Sequence, residues 1–315
     1  MGQFAVEVEG LTKMFGGTTP ALRGVDFSVP AGSVCAILGH NGAGKTTTLN
    51  ILCTLIRPSS GRAVVAGYDV VRQSAKVRSQ IGITGQFTAV DPLLTGRENL
   101  VLFGRMRGLS RKQAKARADE LIGQFDLVAA ADRRVSTYSG GMWRRVDLAS
   151  ALVVTPKVLF LDEPTTGLDP RSRRDVWSIV NSLASQDVTV LLTTQYLEEA
   201  DALSDSIVVF DHGRVIASGT STELKRQVGV SYCEATPANP ADLPQVVEAL
   251  AGLDGIDLDS DSNSVSVLAQ DGVTTLGEVF RRLEAIGVEI ADISLRKPSL
   301  DEAFLHLTKE PVTQS

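Results

Sequence analysis

Alternating strand-like and helical runs predict an α/β domain over residues 1–228, with a helical insert at about 95–155, followed by a small α+β domain over 229–315. Three observations carry this reading. Short apolar runs (VCAIL, VLFL, VTVLL) end in glycine or polar residues, as buried strands do. The block between about 95 and 155 has a helical pattern instead. Charge also changes sign along the chain: residues 1–228 hold 26 basic and 22 acidic side chains, whereas 229–315 hold 5 and 15.

In chain order, VEVEGLTKMF, GVDFSV, SVCAILG, RAVVAG and IGITG read as strands between residues 4 and 85, interrupted by one helix, KTTTLNILCTL. Within the insert, capping-box spacings Thr95 to Glu98 and Ser110 to Gln113 mark two helix starts. KVLFLDEP, VTVLLTT and SIVVFDHGRVIASG then read as strands, alternating with the helices PRSRRDVWSIVNSLA and YLEEADAL, the rhythm of a sheet with crossover helices. In the last segment VSYCEAT, PADLPQVVEALAGL, GIDLD, SVSVLA, TTLGEVFRRLEAIG and EIADISL run strand, helix, strand, strand, helix, strand. That is the order of a ferredoxin-like βαββαβ motif. A final helix, SLDEAFLHLT, places Leu300, Ala303, Phe304 and Leu307 on one face.

Composition excludes several classes. With 43% hydrophobic and 22% charged residues the chain is that of an ordinary folded protein. Its apolar runs fall far short of the roughly 20 residues that span a bilayer. The start MGQFAVEVEG has neither a basic nor a long apolar stretch, so the protein is expected to stay in the cytoplasm. Cys35, Cys53 and Cys233 are odd in number, widely spaced and set in apolar surroundings, which suits buried free thiols. The basic stretch RMRGLSRKQAKAR reads as solvated helix faces. No aromatic or zinc module accompanies it, so no nucleic-acid partner is expected. Asp254, Asp257, Asp259 and Asp261 lack the glycine and terminal glutamate of a calcium loop and read as turn and strand residues.

Three motifs carry chemistry. Gly39, His40, Asn41, Gly42, Ala43, Gly44, Lys45, Thr46 and Thr47 follow an apolar strand and open a helix, the setting of a phosphate-binding loop. Its glycines let amides curl round phosphates, Lys45 neutralises the β and γ phosphates, and the Thr46 hydroxyl suits Mg²⁺. The run VLFLDEP ends in Asp162, suited to the Mg²⁺ shell, and Glu163, suited to act as general base toward water. Ser139, Gly140 and Gly141 open a further helix, a second anion-binding start that has no lysine of its own.

Together with Gln86 in ITGQ and the run TTGLD (165–169), this ordered set resembles the ABC ATPases over roughly the first 225 residues. The segments TTQYLEEADAL and LRKPSLDEAFLHLT extend the resemblance to ATP-binding subunits of daunorubicin-resistance-type exporters. The resemblance implies ATP and Mg²⁺ as cofactors and an active homodimer at the cytoplasmic face of the membrane, powering a separate transmembrane permease. It implies adenine stacking on Phe15, against the reading of that ring as core; contact of Gln86 with Mg²⁺ or the attacking water; contact of Ser139, Gly140 and Gly141 with a γ-phosphate held by the opposite subunit; and an interface role for Asp169. Two positions depart from the family: Met142 stands where glutamine is usual after SGG, and Gln195 stands where a switch histidine is usual. Gln195 can donate a hydrogen bond to a γ-phosphate but cannot become a cation. The alternative reading is a soluble ABC ATPase acting on ribosomes or DNA, which usually carries two cassettes or a coiled-coil insert.

Overall fold

A computed structural model describes residues 3–85, 90–227, 231–259, 263–296 and 298–309. The chain forms two compact units, Met1–Ser221 and Thr222–Ser315. They divide a few residues before the boundary expected from charge.

In the first unit, β1 (Phe4–Phe15), β2 (Thr19–Pro30), β4 (Ser60–Val65) and β5 (Tyr68–Asp69) form an antiparallel sheet in the order β2-β1-β4-β5. A second sheet contains β3 (Val34–Leu38), β6 (Ile81–Thr84), β7 (Val158–Asp162), β8 (Thr189–Thr194), β9 (Ser206–Asp211) and β10 (Arg214–Gly219) in the order β10-β9-β3-β8-β7-β6. Its strands are parallel except at the β9–β10 hairpin. β3, β7 and β8 are buried along their whole length, which is why they read as unbroken apolar runs.

The helices of this unit are α1 (Lys45–Leu52), α2 (Ser74–Gln80), α3 (Gly96–Met106), α4 (Arg111–Gln124), α5 (Gly140–Ala151), α6 (Pro170–Ala184) and α7 (Leu197–Leu203); α8 (Ser221–Gln227) begins at the division and lies otherwise in the second unit. Both expected capping boxes form, on Thr95 with Glu98 and on Ser110 with Gln113. α6 buries Val176, Val180 and Leu183, an i, i+4, i+7 stripe. The main core runs between the two sheets around α1, joining Val6, Leu22 and Val25 to Ile37, Leu49, Phe160 and Phe210.

Two features differ from the sequence reading. Helix α2 lies in a stretch read as having no further helix. It buries only Val77 and has no side-chain cap, so no apolar period announces it. Strand β2 begins at Thr19 rather than near Gly24, pairing Thr19 with Phe15 across the turn. Gly16 and Gly17 supply positive φ values of 59° and 78° there, a hairpin signal the sequence does contain.

The second unit holds β11 (Ser231–Pro237), α9 (Leu243–Ala249), β12 (Asp257–Asp259), β13 (Ser264–Ala269), α10 (Val273–Ile286), β14 (Ile290–Arg296) and α11 (Leu300–Lys309). Its sheet is antiparallel in the order β12-β13-β11-β14, and α9 and α10 bury Val246, Val279 and Leu283 against Cys233, Ala235, Val265 and Val267. Arg296 pairs with Glu234 and with Glu302, and its guanidinium sits 4.8 Å from the Tyr232 ring, fastening α11 to this sheet. Leu300 and Ala303 on the apolar face of α11 are buried. Among the described residues Asp254, Asp257 and Asp259 do not converge as metal ligands; Asp257 and Asp259 lie exposed on β12. Asp261 is outside the described residues. All three cysteines are buried free thiols.

Candidate active site

The carboxyl ends of three neighbouring strands create the site. Register pairs Leu38 with Thr194 and Asp162 with Thr193, so β3, β7 and β8 stop side by side and release their loops at one edge. After β3 the chain turns through Gly39 to Gly44 into α1. A Cβ on Gly39 would lie 2.5 Å from the Phe210 carbonyl, and Gly44 adopts φ +106° with Leu22 and Ala21 crowding the same position. Neither position tolerates a side chain, which explains the glycine spacing physically.

Lys45 is buried beneath this loop. Its Nζ donates to the carbonyls of Gly39 at 2.6 Å and His40 at 3.1 Å, and lies 4.0 Å from Glu163 Oε1. Burial pulls its pKa down, and the Glu163 and Asp162 carboxylates oppose that shift. A cavity of about 370 Å³ is lined by Asn41, Gly42, Gly44, Lys45, Thr46, Thr47, Ala21 and Glu163. A concave site with backbone amides, one ammonium and hydroxyls suits an anionic ligand.

Asp162 is buried and accepts from Thr46 Oγ1 at 3.3 Å and from Thr193 Oγ1 at 2.5 Å. Glu163 sits at the strand exit with φ +48°; its N–H donates to the Thr193 carbonyl and hydroxyl, both at 3.1 Å. A left-handed non-glycine residue is costly and marks a constrained position. Thr166 Oγ1 donates to Glu163 Oε2 at 3.1 Å. Glu163 also lines a second cavity of about 450 Å³ with Gly85, Gly140, Trp143, Arg144 and Gly167.

Ser139 caps α5, accepting from the Met142 N–H at 3.3 Å. Gly141 is close-packed: a Cβ there would stand 2.3 Å from Ser172 Oγ. Ser139, Gly140, Gly141 and Asp169 do not line the phosphate-loop cavity. Asp169 caps α6, accepting from the Arg171 and Ser172 amides, and hydrogen bonding from Ser172 holds its carboxyl below the usual range. Gln195 follows β8 directly and is half-buried. Phe15 is 46% exposed at the end of β1, with Lys13 Nζ 5.1 Å from its ring centroid. It is a solvent-facing ring, not core. Gln86 lies outside the described residues.

Sequence reasoning missed Arg144 and Glu199. The Arg144 guanidinium donates to the carbonyls of Pro164 at 2.7 Å, Gly85 at 3.3 Å and Asp162 at 3.4 Å, and to Asp147 Oδ2 at 3.1 Å. It therefore ties α5 to the chain leaving both β6 and β7. Burial lowers its pKa against the pull of Asp147. Glu199, buried at the start of α7, accepts from Thr165 Oγ1 at 2.8 Å and Trp177 Nε1 at 3.2 Å. Asp147 three residues after Arg144 was the only sequence signal for the first; Glu199 had none.

The chain is similar to known proteins. The family described as ABC transporter matches residues 22–166. The doxorubicin resistance ATP-binding protein DrrA of Mycobacterium tuberculosis is 53% identical over 312 residues, covering 98% of this chain and 94% of that protein. The daunorubicin/doxorubicin resistance ATP-binding protein DrrA of Streptomyces peucetius is 49% identical over 312 residues, covering 98% and 93%. Among solved structures, an ATP-binding subunit of an ABC transporter superposes with a TM-score of 0.64 at 30% identity, covering 71% of this chain and 93% of that one. The ATP-binding cassette MJ0796, a dimer in a post-hydrolysis state bound to ADP and Pi, gives a TM-score of 0.62 at 26% identity, covering 68% and 98%. With near-complete coverage at half identity, the chain belongs to the ATP-binding subunits of ABC transporters, in the daunorubicin- and doxorubicin-resistance family, and is an ATPase.

Proposed function

We propose that this chain powers export of drug-like amphiphiles through a separate membrane permease, acting as a homodimer bound peripherally at the cytoplasmic face. The observation that carries the reading is the convergence of Lys45, Thr46 and Glu163 on one cavity, with Asp162 accepting from Thr46, while Ser139, Gly140, Gly141 and Asp169 are not among the residues that line it. One chain supplies the phosphate loop but not the second anion-binding end, so a second copy completes the site. The names of the curated relatives support drug export, and among the described residues no helix is long and apolar enough to cross a membrane.

In this reading the loop amides and Lys45 hold the β and γ phosphates, and Phe15, exposed at the strand end, offers its face to adenine. The oxygen-only pair of Thr46 Oγ1 and Asp162 Oδ1, 3.3 Å apart, fits a hard divalent ion. Thr46 and Asp162 would hold Mg²⁺, which supplies positive charge against the phosphates. Glu163 Oε accepts a proton from water as the water oxygen bonds to the γ-phosphorus and the bond to the β-phosphate oxygen breaks, releasing ADP and phosphate. Gln195 and Gln86 orient the γ-phosphate and the water, and Ser139, Gly140, Gly141 and Asp169 of the second copy close the site. Residues 1–228 form the ATPase domain, and 229–315 form a ferredoxin-like accessory domain that steadies the assembly. Purification from membranes tests the reading: a polytopic permease should co-purify. Ribosomes or DNA in its place would overturn it.

A further inference from the structure

We propose that His40, Asp211 and His212 form a binding site for a divalent transition ion of the zinc class, beside the phosphate loop and distinct from the Thr46–Asp162 position. The argument begins with hydrogen-bond inventory. His40 Nδ1 lies 2.7 Å from the Asn41 carbonyl oxygen, and its Nε2 lies 2.9 Å from Asp211 Oδ1. Both partners are acceptors, yet a neutral imidazole has a single N–H. With Nδ1–H donated to the carbonyl, the Nε2 lone pair faces a carboxylate oxygen. Either a second proton or a metal ion resolves that contact, and the carbonyl bond orients the ring as outer partners orient metal-bound histidines.

His212 supplies what a proton alone does not explain. Its Nε2 stands 3.9 Å from the same Asp211 oxygen, too far for a hydrogen bond, and its ring lies 5.2 Å from that of His40. One ligand atom from each of the three residues falls within 4.8 Å of the others. Bonds of about 2.0–2.2 Å at tetrahedral angles put ligand atoms about 3.3–3.6 Å apart. The observed spacing brackets that value, and small rotations of these exposed or part-exposed side chains reach it. Among the described residues no other trio of potential ligands meets this criterion.

The backbone holds the two halves of the site together. Gly213 N–H donates to the Ala43 carbonyl at 3.0 Å, and Arg23 N–H donates to the Gly213 carbonyl at 2.8 Å. The β9–β10 turn is thus fastened to the phosphate loop itself. His212 is held at φ +44°, in the left-handed region that few non-glycine residues occupy. Two imidazole nitrogens and one carboxylate select zinc, nickel or copper over magnesium, and three protein ligands leave a fourth position for water.

The test uses the full chain without nucleotide or magnesium. Zinc titration by calorimetry should show one ion bound per chain, and cobalt should give visible bands without thiolate charge transfer, since the cysteines are buried. His212→Asn, which tolerates the left-handed turn, should weaken zinc binding at least about tenfold while leaving the melting temperature and basal ATP turnover unchanged. Asp211→Asn should weaken it comparably. Equal zinc affinity in wild type and His212→Asn, no zinc binding by wild type, or a cobalt–thiolate spectrum would overturn the proposal.

Discussion

The Lys45 ammonium lies 4.0 Å from Glu163 Oε1 across the phosphate-loop cavity, so the loop's cation and the last carboxylate of β7 share one space. In this state Lys45 satisfies the Gly39 and His40 carbonyls. Replacing it with alanine removes a charged donor worth about 1.5–3 kcal/mol, which is ~10- to 150-fold in ATP affinity. Titration with a fluorescent ATP analogue reads this directly. Unchanged affinity would remove Lys45 from phosphate binding.

Arg144 ties α5 to the chain that leaves β6 and β7. Arg144→Met would leave Asp147, 4% exposed by side chain, without its guanidinium and free three main-chain carbonyls. Loss of one partner of such a buried pair costs about 3–5 kcal/mol, which denaturant unfolding should report. A loss below about 1 kcal/mol would mean that water replaces the guanidinium at little cost.

For Gln195, alanine should lower hydrolysis more than ATP binding, whereas histidine should be tolerated because both amide and imidazole donate toward a phosphate oxygen. Steady-state turnover beside equilibrium binding separates the two effects. Alanine turning over as fast as wild type would make Gln195 a bystander.

The composite site is open to complementation. A Lys45→Ala chain mixed with a Ser139→Arg chain should regain ATP turnover, because one of the two sites in the mixed dimer keeps both intact residues. A mixture as inactive as either parent would count against a site shared between copies.

The phosphate loop and the Asp162–Glu163 pair were legible because local backbone constraints write themselves into sequence. Gly39 and Gly44 have no room for a Cβ, and the buried strand before the acids shows as an apolar run. The order of elements in the second unit was readable for the same reason, through alternating periods of two and 3.6. Contacts between distant segments were not. Arg144 meets Gly85, 59 residues earlier, and His40 meets Asp211, 171 residues later. Nothing in local spacing records such pairings. Helix α2 escaped because its single buried residue, Val77, makes no pattern.

The central claim is that Glu163 takes the proton from the attacking water. Its left-handed backbone and its bond from Thr166 aim the carboxylate into the cavity that holds Lys45. Glu163→Gln keeps the shape of the side chain but removes its basicity. ATP binding should stay within a few fold of wild type, while the rate of hydrolysis measured by phosphate release falls by about 10²- to 10⁴-fold. Near-wild-type phosphate release with normal ATP binding would contradict the account.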